Sequence, residues 1–321
     1  MPRPTHLALT AALLLTHGLA AAQAWPTRPI RVVVGFPAGS TTDVVARLSA
    51  QGLQNNLKQT VVVENRPGAA SMIAATNVAQ SQADGYSFLF GTLPTLGTGT
   101  LNEKLPIDPV NDFTPVGLVV SAHFLLVAAG DVPAGNLADF IRVLKADPAK
   151  YSFGSSGTGS TIHLAAEMFN RGIGVSVLHV PYKGTSEVVQ DLLGRKISYG
   201  LVGLENMQHV KAGNLKAFAV TGIRRDPAAP DVPTLGESAL PGFTAATTML
   251  LLGPKNLARP IVDAVSQASN RANASDEVTQ KLRAMGGPIP YTDSTPEATG
   301  KFLRDELTRW DALLKALKPK S

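Results

Sequence analysis

Three short segments combine glycine, proline and small hydroxylic side chains in a pattern suited to holding an anion. In FPAGSTTD, residues 36–43, Pro37 and Gly39 impose a turn, and Ser40 with Asp43 has the spacing of a helix capping box. Backbone N–H groups left unpaired at such a helix start, together with the positive end of the helix dipole, favour a negative group. A well-capped βα turn with no ligand has the same appearance. In SSGTGSTIHL, residues 155–164, the first seven residues are all glycine, serine or threonine. Glycine lets the backbone approach a ligand closely, and hydroxyls both donate and accept hydrogen bonds. A flexible connector is the other reading, although loops inside βα units are short and rarely so composed. In VPYKGT, residues 180–185, Tyr182 brings an apolar face with a polar tip and Lys183 a positive charge. Taken alone it also reads as a plain surface turn. GTLPTLGTGT, residues 91–100, is a fourth candidate.

Each segment follows a β-branched run and precedes an amphipathic one, which makes it a strand-to-helix loop. Strands are predicted over 30–35, 60–64 and 86–91, with helices over 41–57 and 69–80 between them. This βαβαβ series implies a parallel sheet covered by helices on both faces. Consecutive strands follow over 113–120 and 123–128. A second series then runs through a helix over 137–146, closed by Asp147-Pro148, and strands over 151–154, 175–179, 197–201 and 215–221. Its helices cover 161–171, 186–193 and 204–212. A proline-studded stretch (Pro227, Pro230, Pro233, Pro241) reads as an irregular crossing. A strand over 245–252 and helices over 260–274, 276–285 and 296–317 finish the chain. The last helix has Glu297, Asp305 and Glu306 ahead of its lysines, matching its dipole. Two series suggest two α/β lobes, with the chain crossing near Val119 and again near Thr221. A single nine-stranded sheet fits the same periodicity. Open parallel sheets bind ligands at the carboxyl ends of their strands, where all four loops lie.

Composition narrows the function classes. The 321 residues contain no cysteine, which excludes disulfides and thiolate chemistry. Hydrophobic residues make up 44%, enough for a conventional core. The 29 basic and 24 acidic residues form no basic cluster and aromatics are only 6%, so nucleic acid is not an expected partner. Arg3, the apolar stretch over 7–22 and Ala22-Gln23-Ala24 read as a secretory leader cleaved before Trp25. Periplasmic location is the expectation. An exported enzyme is the main rival, but Gly154-Ser155-Ser156-Gly157-Thr158 lacks the second glycine of a nucleophile elbow. His163 is expected to pack or cap rather than act as a base. His123, His179 and His209 show no zinc-ligand spacing, and no phosphate-loop or dinucleotide fingerprint occurs. No catalysis, cofactor or metal is expected.

The loops also carry a resemblance. WPTRPIRVVVGFPAGSTTD, VVVENRPGA, ADGYSFLFGT, DFTPVGLV, SSGTGSTIHLAAEMF, VPYKGT, HVKAGNLKAFAVT, DVPTLGESALPGF and the tail ELTRW occur in this order along the mature chain. The sequence resembles the receptors of tripartite tricarboxylate transporters, the Bug-type extracytoplasmic solute receptors. The resemblance implies a periplasmic-binding-protein type II fold, two α/β lobes joined by two crossing segments with the ligand cleft between them. The organisation it suggests is a leader over 1–24, a first lobe over 25–119, a second over 120–221, and a crossing segment that completes the first lobe over 222–321. It implies a monomer that captures a small organic carboxylate and passes it to the large and small membrane subunits of a transporter. A receptor serving a signalling partner would use the same site.

Carried over by position, Pro37, Ala38, Gly39, Ser40, Thr41 and Thr92 would bind ligand from the first lobe. Ser155, Gly157, Thr158, Gly159, Ser160, Pro181, Tyr182, Lys183 and Gly184 would do so from the second. Lobe closure would bury the ligand. Three departures from the family pattern carry expectations. Ser40 and Thr41 replace glycines and add hydroxyls. Ala70, Ser71, Met72 and Ala74 replace a glycine- and asparagine-rich stretch and make that rim apolar. Gly200-Leu201 stand where relatives often have Phe-Asp, which argues against a ligand ammonium unless Glu205 substitutes.

Overall fold

The β-branched runs become strands and the amphipathic runs helices, because a period of two suits a pleated surface and a period of 3.6 a helix packed on it. The computed structural model describes residues 25–93, 96 and 106–317. The expected leader and most of the 91–100 loop beyond Leu93 lie outside them. The first half contains β1 (Ile30–Val34), α1 (Thr41–Leu57), β2 (Val61–Asn65), α2 (Met72–Ala79), β3 (Ser87–Leu93) and β4 (Phe113–Ala129). Next come α3 (Leu137–Ala146), β5 (Ser152–Ser155), α4 (Thr161–Gly172), β6 (Leu178–Pro181), α5 (Thr185–Leu193), β7 (Tyr199–Gly203), α6 (Met207–Lys211) and β8 (Leu215–Val220). The chain ends with α7 (Leu235–Ser238), β9 (Ala246–Pro254), α8 (Arg259–Asn273), α9 (Asp276–Ala284), β10 (Ile289–Pro290) and α10 (Pro296–Leu317). Among the described residues no helix is long and apolar enough to cross a membrane.

Several expectations need correction. The helix predicted over 69–80 opens with a 3₁₀ turn, Ala69–Ser71, before α2, and the strand predicted over 175–179 lies over Leu178–Pro181. The strands predicted over 113–120 and 123–128 are one strand of 17 residues, β4. Ser121-Ala122-His123 contains neither glycine nor proline to break it, and both halves are held extended by antiparallel neighbours. The helix predicted over 204–212 begins instead with a 3₁₀ turn, Leu204–Asn206, before α6. The strand β10, only two residues long, has no periodicity of its own to read.

Periodicity left one sheet or two open, and β4 explains why. All strands connect through it, yet its partners change along its length. Up to His123 it pairs with β9, and from Phe124 it pairs with β7, with β8 taken up on its other side from Leu125. Val119, where the first crossing was expected, lies inside the β9-paired stretch. The result is two five-stranded arrays with the same plan, β2-β1-β3-β9-β4 and β6-β5-β7-β4-β8. In each, the first three strands are parallel and the fourth runs against its neighbours. Helices cover both faces of each array. α1, α8 and α9 close one face of the first array around Val32, Phe88, Phe90 and Leu251. α2 and α10 close the other around Leu89, Leu250 and Leu252. α3 and α4 cover the second array around Phe140, Phe153, Phe169 and Tyr199, and α5 and α6 its opposite face.

Register fixes which ends of the arrays meet. Leu93 at the end of β3 pairs with Thr248 near the start of β9, and Phe124 pairs with Gly203 at the end of β7. The chain therefore passes between arrays at the carboxyl ends of β1–β3 and of β5–β7. Thr221 secures this crossing while fully buried. Its hydroxyl accepts the Phe124 N–H at 2.8 Å and donates to the Ala245 carbonyl at 2.6 Å.

Candidate functional site

The loops at these two carboxyl edges are near copies of one another. Gly39 and Gly159 both have φ of +80°, a left-handed backbone that favours glycine. The residues that follow, Ser40 and Ser160, are N-caps with φ/ψ of −67°/157° and −66°/158°. Each serine hydroxyl accepts the N–H three residues on, from Asp43 at 3.3 Å and from His163 at 3.2 Å. Each glycine N–H is held by the side chain four residues on, Asp43 Oδ2 at 2.9 Å and His163 Nδ1 at 3.1 Å. The triplet Gly-Ser-Thr at 39–41 and 159–161 was the sequence signal for this duplication. It was masked because the residue that closes each motif differs.

Around the first loop, Asp43 is buried, and besides Gly39 it accepts from Asn65 Nδ2 at 2.7 Å and Arg47 Nε at 3.0 Å. Burial pushes its carboxyl up, but the hydrogen bonds from Arg47, Gly39 and Asn65 outweigh this and hold it below the ordinary carboxylate range. Asn65 also donates to the Phe36 carbonyl at 3.0 Å, tying the end of β2 to the turn after β1. Pro37, Ala38, Gly39 and Thr41 are exposed on this loop. With Asp43 N–H capped and Gly39 N–H engaged, the first-turn amides of Thr41 and Thr42 are the donors that the helix itself leaves unpaired. Thr92, on β3, lies at the same edge and on the α1 face of the array, two residues on from Phe90. Its Oγ1 is buried without a hydrogen-bond partner. A buried hydroxyl with no partner costs free energy, so an acceptor arriving there is favoured.

The second loop is braced from beneath. Ser155 is fully buried, and its Oγ shares a 2.7 Å hydrogen bond with His179 Nε2. The same oxygen accepts the Gly157 N–H and donates to the Gly157 carbonyl, each at 3.2 Å. Tyr182 N–H donates to the Ser155 carbonyl at 2.9 Å, which joins the 155–160 loop to Pro181, Tyr182, Lys183 and Gly184. The polar tip of Tyr182 is taken: its hydroxyl donates to Asp191 Oδ2 at 2.8 Å, and burial with this bond pushes its pKa up to about 12. Lys183 is exposed, and its backbone N–H is accepted by Glu187 at 2.9 Å. Gly157 has φ of +111°, and a Cβ there would stand 3.3 Å from the Tyr182 carbonyl. Thr158 is exposed and Ser160 half-buried at the lip.

Two departures behave differently from their sequence-based expectations. Met72 and Ala74 form part of the buried face of α2, so they pack the core rather than the rim. Ser71 is also buried and donates to the Gly35 carbonyl at 3.2 Å, while the apolar residue left outside is Ile73. Leu201 is fully buried among the aromatic core of the second array, because alternation along β7 turns it with Tyr199 away from the α5 face. Glu205, in the turn after β7, packs against Gly286, where a Cβ would lie 2.3 Å from the Glu205 nitrogen.

Comparison with known proteins agrees with this arrangement. Residues 45–318 match the model of the Tripartite tricarboxylate transporter family receptor. Protein BugT of Bordetella pertussis is 34% identical over 318 residues, covering 96% of each chain. The solved structure of MatC from Rhodopseudomonas palustris with bound malate is 31% identical, with a TM-score of 0.77 over 90% of this chain and 100% of that one. The R. palustris protein Rpa4515 with adipate is 33% identical, with a TM-score of 0.79 over 91% of this chain and 97% of that one. Two arrays of one plan, with matching glycine-serine helix starts at the edges where they meet, thus occur in a chain that belongs to the tripartite tricarboxylate transporter receptor family.

Proposed function

We propose that the mature chain captures a small organic carboxylate in the periplasm and delivers it to the large and small membrane subunits of a tripartite transporter. The observation that carries this reading is the pair of Gly-Ser-Thr helix starts at the edges where the two strand arrays meet. Both aim helix dipoles and free first-turn amides toward the crossing, which suits an anion seated between them. Thr92, with its unpartnered buried hydroxyl, supplies a further donor. Ligand-bound relatives support the chemical class, since one holds malate and another adipate. Closure of the second array onto the first would seal the ligand off from water. Export follows from the leader expected over residues 1–24, with Trp25 as the first mature residue.

A thermal-shift screen tests this directly, since a ligand stabilises the form it binds. Protein recovered from the periplasm is expected to start at Trp25 and to melt higher with malate, adipate, succinate or an aromatic acid than with the matching neutral amides. Equal shifts with acids and amides, or none across such a panel, would remove the carboxylate reading. A leader retained in the membrane fraction would remove the periplasmic one.

A further inference from the structure

His163 on α4 and His179 on β6 lie face to face, with ring centroids 4.1 Å apart and planes 27° from parallel. His179 in turn stacks on Phe153 at 4.9 Å, and Tyr199 lies beyond that ring. Each imidazole grips the same loop by its backbone or its buried serine. His163 Nδ1 accepts the Gly159 N–H, so its proton sits on Nε2, while His179 Nε2 pairs with Ser155 Oγ. The counterpart of His163 in the first loop is Asp43, a carboxylate whose charge is answered by Arg47 and Asn65. At the second loop the stack is met by Phe153 and Ser155 from β5, with Tyr199 from β7 beyond Phe153, and Glu167 follows His163 one helical turn further along α4. Of these neighbours His179 is the titratable ring stacked on His163. Burial and that neighbour push the His163 pKa down to about 4, so the ring is uncharged at neutral pH.

We infer that His163, backed by His179, is a positioning residue for ligand capture: it fixes the Gly159 amide with an uncharged acceptor and thereby holds the second loop in shape without setting another anion beside the bound one. Asp43 already places one carboxylate beneath the first loop. A second carboxylate beneath the other, where Glu167 holds the place that Arg47 holds after Asp43, would repel an arriving acid. The inference rests on the carboxylate-receptor reading for its ligand, but not for its claim about the loop.

Three substitutions separate the acceptor from the ring and the charge. Asparagine keeps a neutral acceptor at the reach that Asp43 uses. Phenylalanine keeps the stack and loses the acceptor, and aspartate keeps the acceptor and adds charge. The mature protein and its His163→Asn, His163→Phe and His163→Asp variants would be titrated with malate and adipate at pH 7.5. Amide hydrogen exchange over residues 155–160 would be followed in the ligand-free forms. Whichever of the two acids the parent binds, His163→Asn should stay within about threefold of it, and both His163→Phe and His163→Asp should weaken by about tenfold or more. Exchange should quicken only in His163→Phe. Parent-like binding by His163→Asp, or parent-like exchange in His163→Phe, would overturn the inference. Should His163→Phe fail to fold, the asparagine and aspartate variants, which differ in charge alone, still decide it. A parent that binds neither acid would count against the carboxylate reading, and the exchange rates would still decide whether His163 holds the loop.

Discussion

Asp43 and His163 are structural counterparts: each accepts the amide hydrogen of the glycine four residues before it, at 2.9 Å from Gly39 and 3.1 Å from Gly159. The shared geometry makes both load the same backbone turn, while their different chemistry makes them respond differently to substitution. Asp43→Ala removes the acceptor for Gly39, Asn65 and Arg47 together. Arg47 is about half exposed and finds water, so the cost rests mainly on the other two donors. Urea unfolding should show a loss of about 2 kcal/mol. A loss below about 0.5 kcal/mol would mean that the loop keeps its shape without this carboxylate.

Acid should destabilise the protein first through its histidines. His163 has a folded pKa of about 4 against an ordinary value of 6.5, so the unfolded chain takes up the proton more readily between those values. The stabilisation this neutral ring represents is complete above pH 6.5 and is lost as pH falls toward 4. His179 and His123 are also pushed down by burial and act with the same sign. Asp43, whose pKa is lowered, contributes only later, below its ordinary 3.8. Denaturant midpoints measured at pH 7.5, 5.5 and 4.5 should therefore fall steadily, and fall less steeply in His163→Asn. Glu167 and Glu205, pushed up by burial, act with the opposite sign, so the histidine contribution is read from the comparison: a parent midpoint that falls no more steeply than that of His163→Asn would contradict the burial of this imidazole.

Thr92 separates binding from stability. Its hydroxyl is buried and unpartnered, so Thr92→Val removes a group that costs free energy in the ligand-free protein. Unfolding free energy should stay level or rise by up to about 1 kcal/mol. If the hydroxyl donates to a bound carboxylate, affinity for malate or adipate should drop by about tenfold. Unchanged affinity would take Thr92 out of the site.

Most of this fold was legible because its elements are short, amphipathic and punctuated. The bounds of α1, α3 and α10 coincide with those that periodicity predicts. What periodicity could not supply was partnership. Nothing local in Phe113–Ala129 says that one strand serves two arrays, since Val119 and Leu125 look alike and only their neighbours differ. The site was half legible for the same reason. Glycine and serine at the loops signalled their turns, but Asp43 and His163 announce themselves only when each is seen closing the same turn. An offset counted along a strand also does not say which face a residue occupies, so the place of Leu201 in the core could not be read from it.

The last expectation ranks the backbone against the lysine. Gly157 adopts φ of +111°, a conformation that valine avoids, and a Cβ added there would stand 3.3 Å from the Tyr182 carbonyl. Gly157→Val must therefore shift the backbone that carries Ser155 and Gly159, at a strain of about 1–3 kcal/mol. Lys183 is exposed, and its part in the loop is played by a backbone N–H that Glu187 already accepts. Losing its charge by Lys183→Met leaves that bond in place and removes only a screened attraction for the ligand. Titration with malate or adipate should show Gly157→Val weaker by about tenfold or more at any salt concentration. Lys183→Met should cost about threefold at low ionic strength and almost nothing at 0.5 M salt, where charges about 5 Å apart are already screened. Circular dichroism and thermal unfolding would first establish that Gly157→Val is folded. If folded Gly157→Val binds like the parent while Lys183→Met abolishes binding at both salt concentrations, the anion is held by the lysine and not by the loops.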